Sequence, residues 1–212
     1  MSDSGYKEST AAWYRQRLEQ HGQGIKALSS GTEERRAIRF QVLSEVGIHA
    51  GASVLDVGCG FADFYAYLKE RGIEVSYSGV DLVAELVQRA RRSHPGLDAR
   101  VRDLQSDPIE PQSYDFVVCS QTFNLRFGDD PQLSLVQDMM RRMFGIARKG
   151  LAIDFVTDQV DFRESYLKYY SPEAMFGFAK SLTKRVLLRH DHPLYEFCLY
   201  LYPDFAGWGG RG

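Results

Sequence analysis

Val54-Leu55-Asp56-Val57-Gly58-Cys59-Gly60 sets the reading of this chain. A short apolar run ends in two glycines one residue apart, and from Ala62 to Arg71 the pattern turns helical, closing at Gly72. A strand therefore feeds a glycine turn, and the turn feeds a helix. Gly58 and Gly60 admit positive φ and let a ligand lie against bare backbone, while the helix offers N–H donors that have no partner of their own. Alone, such a turn serves several nucleotide-binding enzymes.

Outward from the turn the chain alternates short apolar strands with longer helical stretches, with no repeat or low-complexity run. Strands are predicted at Ser53–Val57, Val75–Val80, Ala99–Val101, Tyr114–Ser120 and Leu151–Val156, and helices at Ala62–Arg71, Ala84–Ser93 and Gln132–Arg148. Tyr114–Ser120 is apolar on both faces, as parallel strands are. Ser171 and Pro172 supply a cap and a first-turn proline for a helix to Leu182. Arg185–Arg189 and Tyr195–Tyr202 follow so closely that only a hairpin can join them, so the last strand runs antiparallel. Upstream, residues 1–10 are weakly patterned and predict a frayed end, with a short helix at Ala11–His21. Thr32 caps a second helix whose face carries Ile38, Val42, Leu43 and Val46. The expected layout is an N-terminal lid segment at 1–31, an α/β domain at 32–203 and a flexible tail at 204–212.

Three acidic positions sharpen the glycine turn. Asp56 sits at the strand end, placed to fix the turn by accepting backbone N–H groups. A pyrophosphate would not tolerate that charge, whereas a zwitterion bearing an ammonium and a sulfonium would. Asp81 ends the second strand about 20 residues beyond the turn, in position to accept both hydroxyls of a ribose. Asp103 follows the third strand, within reach of an adenine amine, with Leu82 and Leu104 as apolar walls for the ring.

On Val54–Gly60, Gly79-Val80-Asp81-Leu82, Arg102-Asp103-Leu104 and Tyr114–Ser120, the chain resembles the class I S-adenosylmethionine (SAM)-dependent methyltransferases, over roughly Thr32 to Tyr202. The resemblance implies a doubly wound α/β fold, a seven-stranded mostly parallel sheet with an antiparallel last strand. It also implies SAM contacts from Gly58 and Gly60 to the methionine part, from Asp81 to the ribose and from Asp103 to the adenine. The third glycine of that family's Gly-x-Gly-x-Gly pattern is Ala62 here.

Cys59 reads as a small turn residue, since no histidine partner is apparent. Ser120-Gln121-Thr122-Phe123-Asn124-Leu125-Arg126 follows the fourth strand, where enzymes of that class place residues facing the transferred methyl. It lacks the Asn- or Asp-Pro-Pro-aromatic signature of enzymes that methylate base or glutamine nitrogens. Ser120 joins the expected SAM contacts, and Asn124 is a candidate for orienting an acceptor. Arg39 is a candidate partner for the SAM carboxylate, or a solvated helix residue. Two aromatic stretches could close over the site, Trp13–Lys26 and Asp161–Tyr170, because aromatic faces attract a sulfonium and an apolar lid excludes water. Tyr14 and Tyr166 are candidate bases.

Composition narrows the partners. With 44% apolar residues in 212 and a formal charge of −2, one domain without a basic surface is expected, which argues against nucleic acid or an anionic membrane. No stretch approaches the roughly 18 apolar residues of a membrane span, and the N-terminus lacks a signal-peptide core, so the expected place is the cytoplasm. Three scattered cysteines predict neither a disulfide framework nor a metal site. The expectation is methyl transfer to a small molecule, oxygen before nitrogen. Three alternatives stand beside it: a SAM cyclase or lyase releasing methylthioadenosine, a non-catalytic SAM-binding module and a nicotinamide oxidoreductase. The sequence leaves the oligomeric state open.

Overall fold

The computed structural model describes residues 3–22, 24–28, 31–126 and 132–204. Along the chain these form α1 (Asp3–His21), α2 (Glu33–Ser44), β1 (Ser53–Val57), α3 (Asp63–Glu70), β2 (Ser76–Asp81), α4 (Ala84–Ser93), β3 (Asp98–Val101), β4 (Tyr114–Cys119), α5 (Gln132–Ile146), β5 (Ala147–Val156), α6 (Pro172–Leu182), β6 (Arg185–Arg189) and β7 (Glu196–Tyr202). The seven strands make one sheet in the order β3-β2-β1-β4-β5-β7-β6. β1 to β5 pair in parallel, and β7 runs antiparallel to both β5 and β6. The doubly wound sheet and its reversed last strand are thus as expected. The expected tail lies, apart from residue 204, outside the described residues.

Side chains alternate between two apolar layers. Leu55, Val117, Leu151, Phe155 and Phe197 pack with Val136, Met140 and Met143 of α5 and with Met175 of α6. Val54, Tyr77, Ala152 and Tyr200 pack on the other face with Phe40 and Leu43 of α2, Phe64 and Leu68 of α3, and Val87 of α4. Helices cover both faces because every parallel strand must bury both of its sides. Local signals set the helix starts. The Thr32 hydroxyl accepts from Arg35 N at 3.3 Å, and that of Ser171 accepts from Ala174 N at 3.1 Å.

Two regions differ from the sequence reading by more than one residue. Residues 3–10, expected to fray, belong to α1. Tyr6, Thr10, Tyr14 and Leu18 recur every four residues on one face. Thr10 and Leu18 are buried, and Tyr6, Tyr14 and Leu18 pack on the domain's apolar clusters. A polar Thr10 in this stripe hides it from a hydrophobicity pattern. The helix expected to reach Arg148 stops at Ile146, because Ala147 already pairs with Tyr114 of β4. Pairing with an existing strand overrides the helical preference of Ala147–Arg148.

Ala62, in place of the third glycine, has φ +61° and ψ +36° at the start of α3 and is fully buried. Alanine is small enough to permit close helix approach, but conformation matters as well. A left-handed alanine costs about 1–2 kcal/mol, a strain the packed turn sustains.

Candidate active site

The sheet order reverses between β1 and β4, and at such a point the loops at the carboxyl ends of the strands part to leave a crevice. A cavity of about 1160 Å³, including its open mouth, lies there. Its wall brings together Asp56, Gly58, Cys59, Gly60, Asp81, Leu82, Asp103, Leu104, Ser120, Arg39 and Tyr14. Two expected candidates do not line it. Tyr166 is 41% exposed, and its carbonyl accepts from Arg126 N at 2.8 Å. Asn124 is buried, but its Oδ1 accepts from Val156 N at 3.1 Å, tying the loop after β4 to the end of β5. Asn124 thus stitches two strand ends. The stretch expected as a second lid, Asp161–Tyr170, also lies away from the wall. Leu125 bridges to Leu167, and the Tyr170 hydroxyl donates to Phe123 O at 2.7 Å.

The glycine turn is fixed differently from the expectation. Among the described residues Asp56 accepts no backbone N–H; the Tyr77 hydroxyl donates to its Oδ2 at 2.5 Å. Val80 O instead accepts from Gly58 N at 2.8 Å and Cys59 N at 3.1 Å. Asp81 completes the turn, its Oδ2 accepting from Gly60 N at 2.9 Å and its Oδ1 from Val83 N at 2.8 Å. A carboxylate has lone pairs to spare beyond two such bonds. Gly58 has φ +78°, and a Cβ there would stand 2.1 Å from Thr122 Oγ1. That hydroxyl lies 3.1 Å from Val57 O, bracing β1 against the loop after β4. Gly58→Ala should therefore lower SAM affinity at least about tenfold, since left-handed strain of about 1–2 kcal/mol adds to the displacement of Thr122. Calorimetry showing wild-type affinity would remove the turn from the binding surface.

Burial sets the charges. It pushes Asp56 up to about 7, aided by Asp81, Asp154 and Asp63 and opposed by the Tyr77 hydroxyl. Burial also raises Asp81, against the N–H groups of Val83 and Gly60. The thiol of Cys59 rises through burial and the charges of Asp81 and Asp56, which suits an inert turn residue. The Tyr14 phenol rises through burial and the charge of Asp81, so it offers a hydroxyl and not a phenolate. Asp103 lies below its usual range: burial would raise it, but Lys7, Gln105 N–H and the Ser106 hydroxyl together outweigh that.

Arg39 is not solvated. Its Nε and Nη2 each lie 2.6 Å from an oxygen of Glu196, the first residue of β7. Sequence reasoning also missed Tyr6, Lys7 and Thr10, which bring the first turns of α1 onto the cavity wall, with Lys7 Nζ 2.5 Å from Asp103 Oδ2. Gln121 was missed too. It lines the wall with φ +57°, its N–H donating to Asp154 Oδ1 at 2.7 Å, while the Ser120 hydroxyl donates to Asp154 Oδ2 at 2.6 Å. The four-residue spacing in α1 was the one available signal; nothing local announces Gln121.

A doubly wound sheet with a glycine turn and strand-end carboxylates at its switch point defines a nucleoside-binding α/β enzyme. Residues 54–150 match the family model described as "Methyltransferase domain". A putative methyltransferase, Rv1506c of Mycobacterium tuberculosis, is 29% identical over 152 residues, covering 69% of this chain and 90% of that protein. The malonyl-[acyl-carrier protein] O-methyltransferase of Pectobacterium atrosepticum is 27% identical over 125 residues, 59% of this chain and 46% of that longer protein. A SAM-dependent methyltransferase structure from Aquifex aeolicus superposes with a TM-score of 0.62 at 21% identity, covering 80% of this chain and 92% of that one. The family match, the relatives and the fold together support a class I SAM-dependent methyltransferase with SAM as its methyl donor. The cavity fits that group: bare glycine backbone on one wall, and one buried and one half-buried carboxylate, without an ion-pair partner among the described residues, facing a ligand of net positive charge.

Proposed function

We propose that this chain transfers the methyl group of SAM to an oxygen of a small-molecule acceptor by in-line displacement. Enclosure carries the reading: Tyr6, Lys7, Thr10 and Tyr14 of α1 form one wall of the cavity, and the Lys7–Asp103 ion pair clasps that helix to the domain. An acceptor has to fit beneath α1, which favours a small one. Residues 1–31 then act as a lid, with 32–203 as the SAM-binding domain.

In this reading Asp81 accepts the ribose hydroxyls, and Asp103 takes the adenine amine between Leu82 and Leu104. Gly58 and Gly60 face the methionine part. SAM supplies an electrophilic methyl on a sulfonium, so the protein's work is alignment and exclusion of water. Ser120, Gln121 and Thr122 line the wall where the family's nitrogen-methylating signature would stand, which supports oxygen, as does the relative named as an O-methyltransferase. No histidine lines the wall among the described residues, and Tyr14 keeps its proton. The acceptor that suits this site is one whose oxygen ionises near neutral pH unaided, such as a carboxylic acid or an enol.

The test is mass spectrometry of nucleoside products from SAM incubated with the protein, alone and with a panel of carboxylic acids, enols, phenols and amines. S-adenosylhomocysteine formed only with an oxygen acid supports the proposal. Formation only with amines overturns the oxygen assignment, and methylthioadenosine from SAM alone would make the reaction a cyclisation or lysis.

A further inference from the structure

The charged groups on the cavity wall are unevenly matched. Each cation there has its own carboxylate: Lys7 has Asp103, Arg36 has Asp63 and Glu33, Arg39 has Glu196, and Arg102 has Asp107. Asp56 and Asp81 have no cation within ion-pair distance among the described residues. Asp81 is met by two backbone N–H groups. Among the described residues Asp56, 4% exposed, receives only the Tyr77 hydroxyl, on one of its two oxygens.

The groups facing Asp56 leave it little choice. β2 presents Tyr77 and Asp81, α3 presents Asp63, and β5 presents Asp154. Cys59 of the turn and Cys119 of β4 sense its charge as neutral thiols. From α2, Arg36 and Arg39 reach the same cavity, but each is already held by a carboxylate. A bare anion here would be buried, uncompensated and close to other acids, and such a group neutralises itself by keeping a proton.

We propose that Asp56 is protonated in the free protein and passes its proton to solvent when a cationic centre of SAM takes up that position, so that donor binding is coupled to proton release. The inference rests on SAM being the ligand of this cavity. The placement of Asp56 near 7 by burial agrees with it. The sign follows from linkage: below about pH 7 the free protein holds the proton and the complex does not, so affinity rises with pH and levels off above that point.

Calorimetric titration of the full chain with SAM, in pairs of buffers of unlike ionisation enthalpy, counts the protons directly. About one proton per SAM is expected near pH 6 and almost none near pH 8.5. In Asp56→Asn, which keeps an acceptor for Tyr77 but cannot ionise, the release is lost and affinity is nearly flat across that range. Any contribution from titration of SAM itself is common to both proteins and cancels in the comparison. S-adenosylhomocysteine keeps the ammonium and lacks the sulfonium: release with both ligands assigns the ammonium, and release with SAM alone assigns the sulfonium. SAM binding near pH 6 with no proton release, or with the same release in Asp56→Asn, overturns the coupling. If Asp56→Asn fails to fold, the wild-type proton count decides alone. Absence of SAM binding at any pH would instead strike the donor assignment itself.

Discussion

Asp81→Ala is expected to weaken SAM binding by about 10²–10³-fold. Hydrogen bonds to a charged group are worth about 1.5–3 kcal/mol each, and about 3–4 kcal/mol lost from two ribose hydroxyls corresponds to that factor. The same carboxylate anchors Gly60 N and Val83 N, so its removal also loosens the glycine turn. The two effects act in one direction. Asp81→Asn, with a single acceptor oxygen, should fall between wild type and alanine. Calorimetry on variants with native circular dichroism is the check, and affinity within about threefold of wild type would exclude the ribose role, since even one lost charged bond costs more.

The largest expected loss of stability comes from an ion pair that ties α2 to β7. Arg39 is buried and Glu196 half-buried, their side chains 4% and 13% exposed, and two 2.6 Å contacts join α2 to β7. Glu196→Ala strips the buried guanidinium of the Glu196 carboxylate and should cost about 3–5 kcal/mol. For a chain of this size that is a fall in Tm of roughly 6–20 °C. The double variant Arg39→Met, Glu196→Leu should recover much of the loss, because replacing both charges removes the desolvation penalty together with the attraction. Urea denaturation of the three proteins measures it. Equal losses in the single and double variants would show that the pair is not energetically coupled.

The two predictions separate what local sequence carries from what it does not. Asp81 was found from its place at a strand end a fixed distance after a glycine turn, and that spacing is set by the length of one helix and one strand. Arg39 was a candidate for the SAM carboxylate or a solvated helix face, and its carboxylate on the protein was out of reach of the pattern, because Glu196 lies 157 residues away and meets it only after β7 has reversed. Tyr166 and Asn124 failed as wall residues for a related reason. Both follow strands at the correct end of the sheet, but the direction taken by the loop that carries them is a tertiary outcome.

By itself the sequence determined the α/β alternation, the glycine turn, the reversed last strand and the strand-end acids, because each depends on residues within one or two elements. Residue periodicity, cap chemistry and a short hairpin link act over distances that a linear pattern records. Only the tertiary structure decided that α1 lies along the cavity, that Lys7 clasps Asp103, that Asp154 holds the turn at Gln121 and that Asp56 is left facing the cavity without a cation. Those features arise where separate elements converge. There, burial and the sum of neighbouring charges fix the state of a side chain, and no local pattern contains that sum.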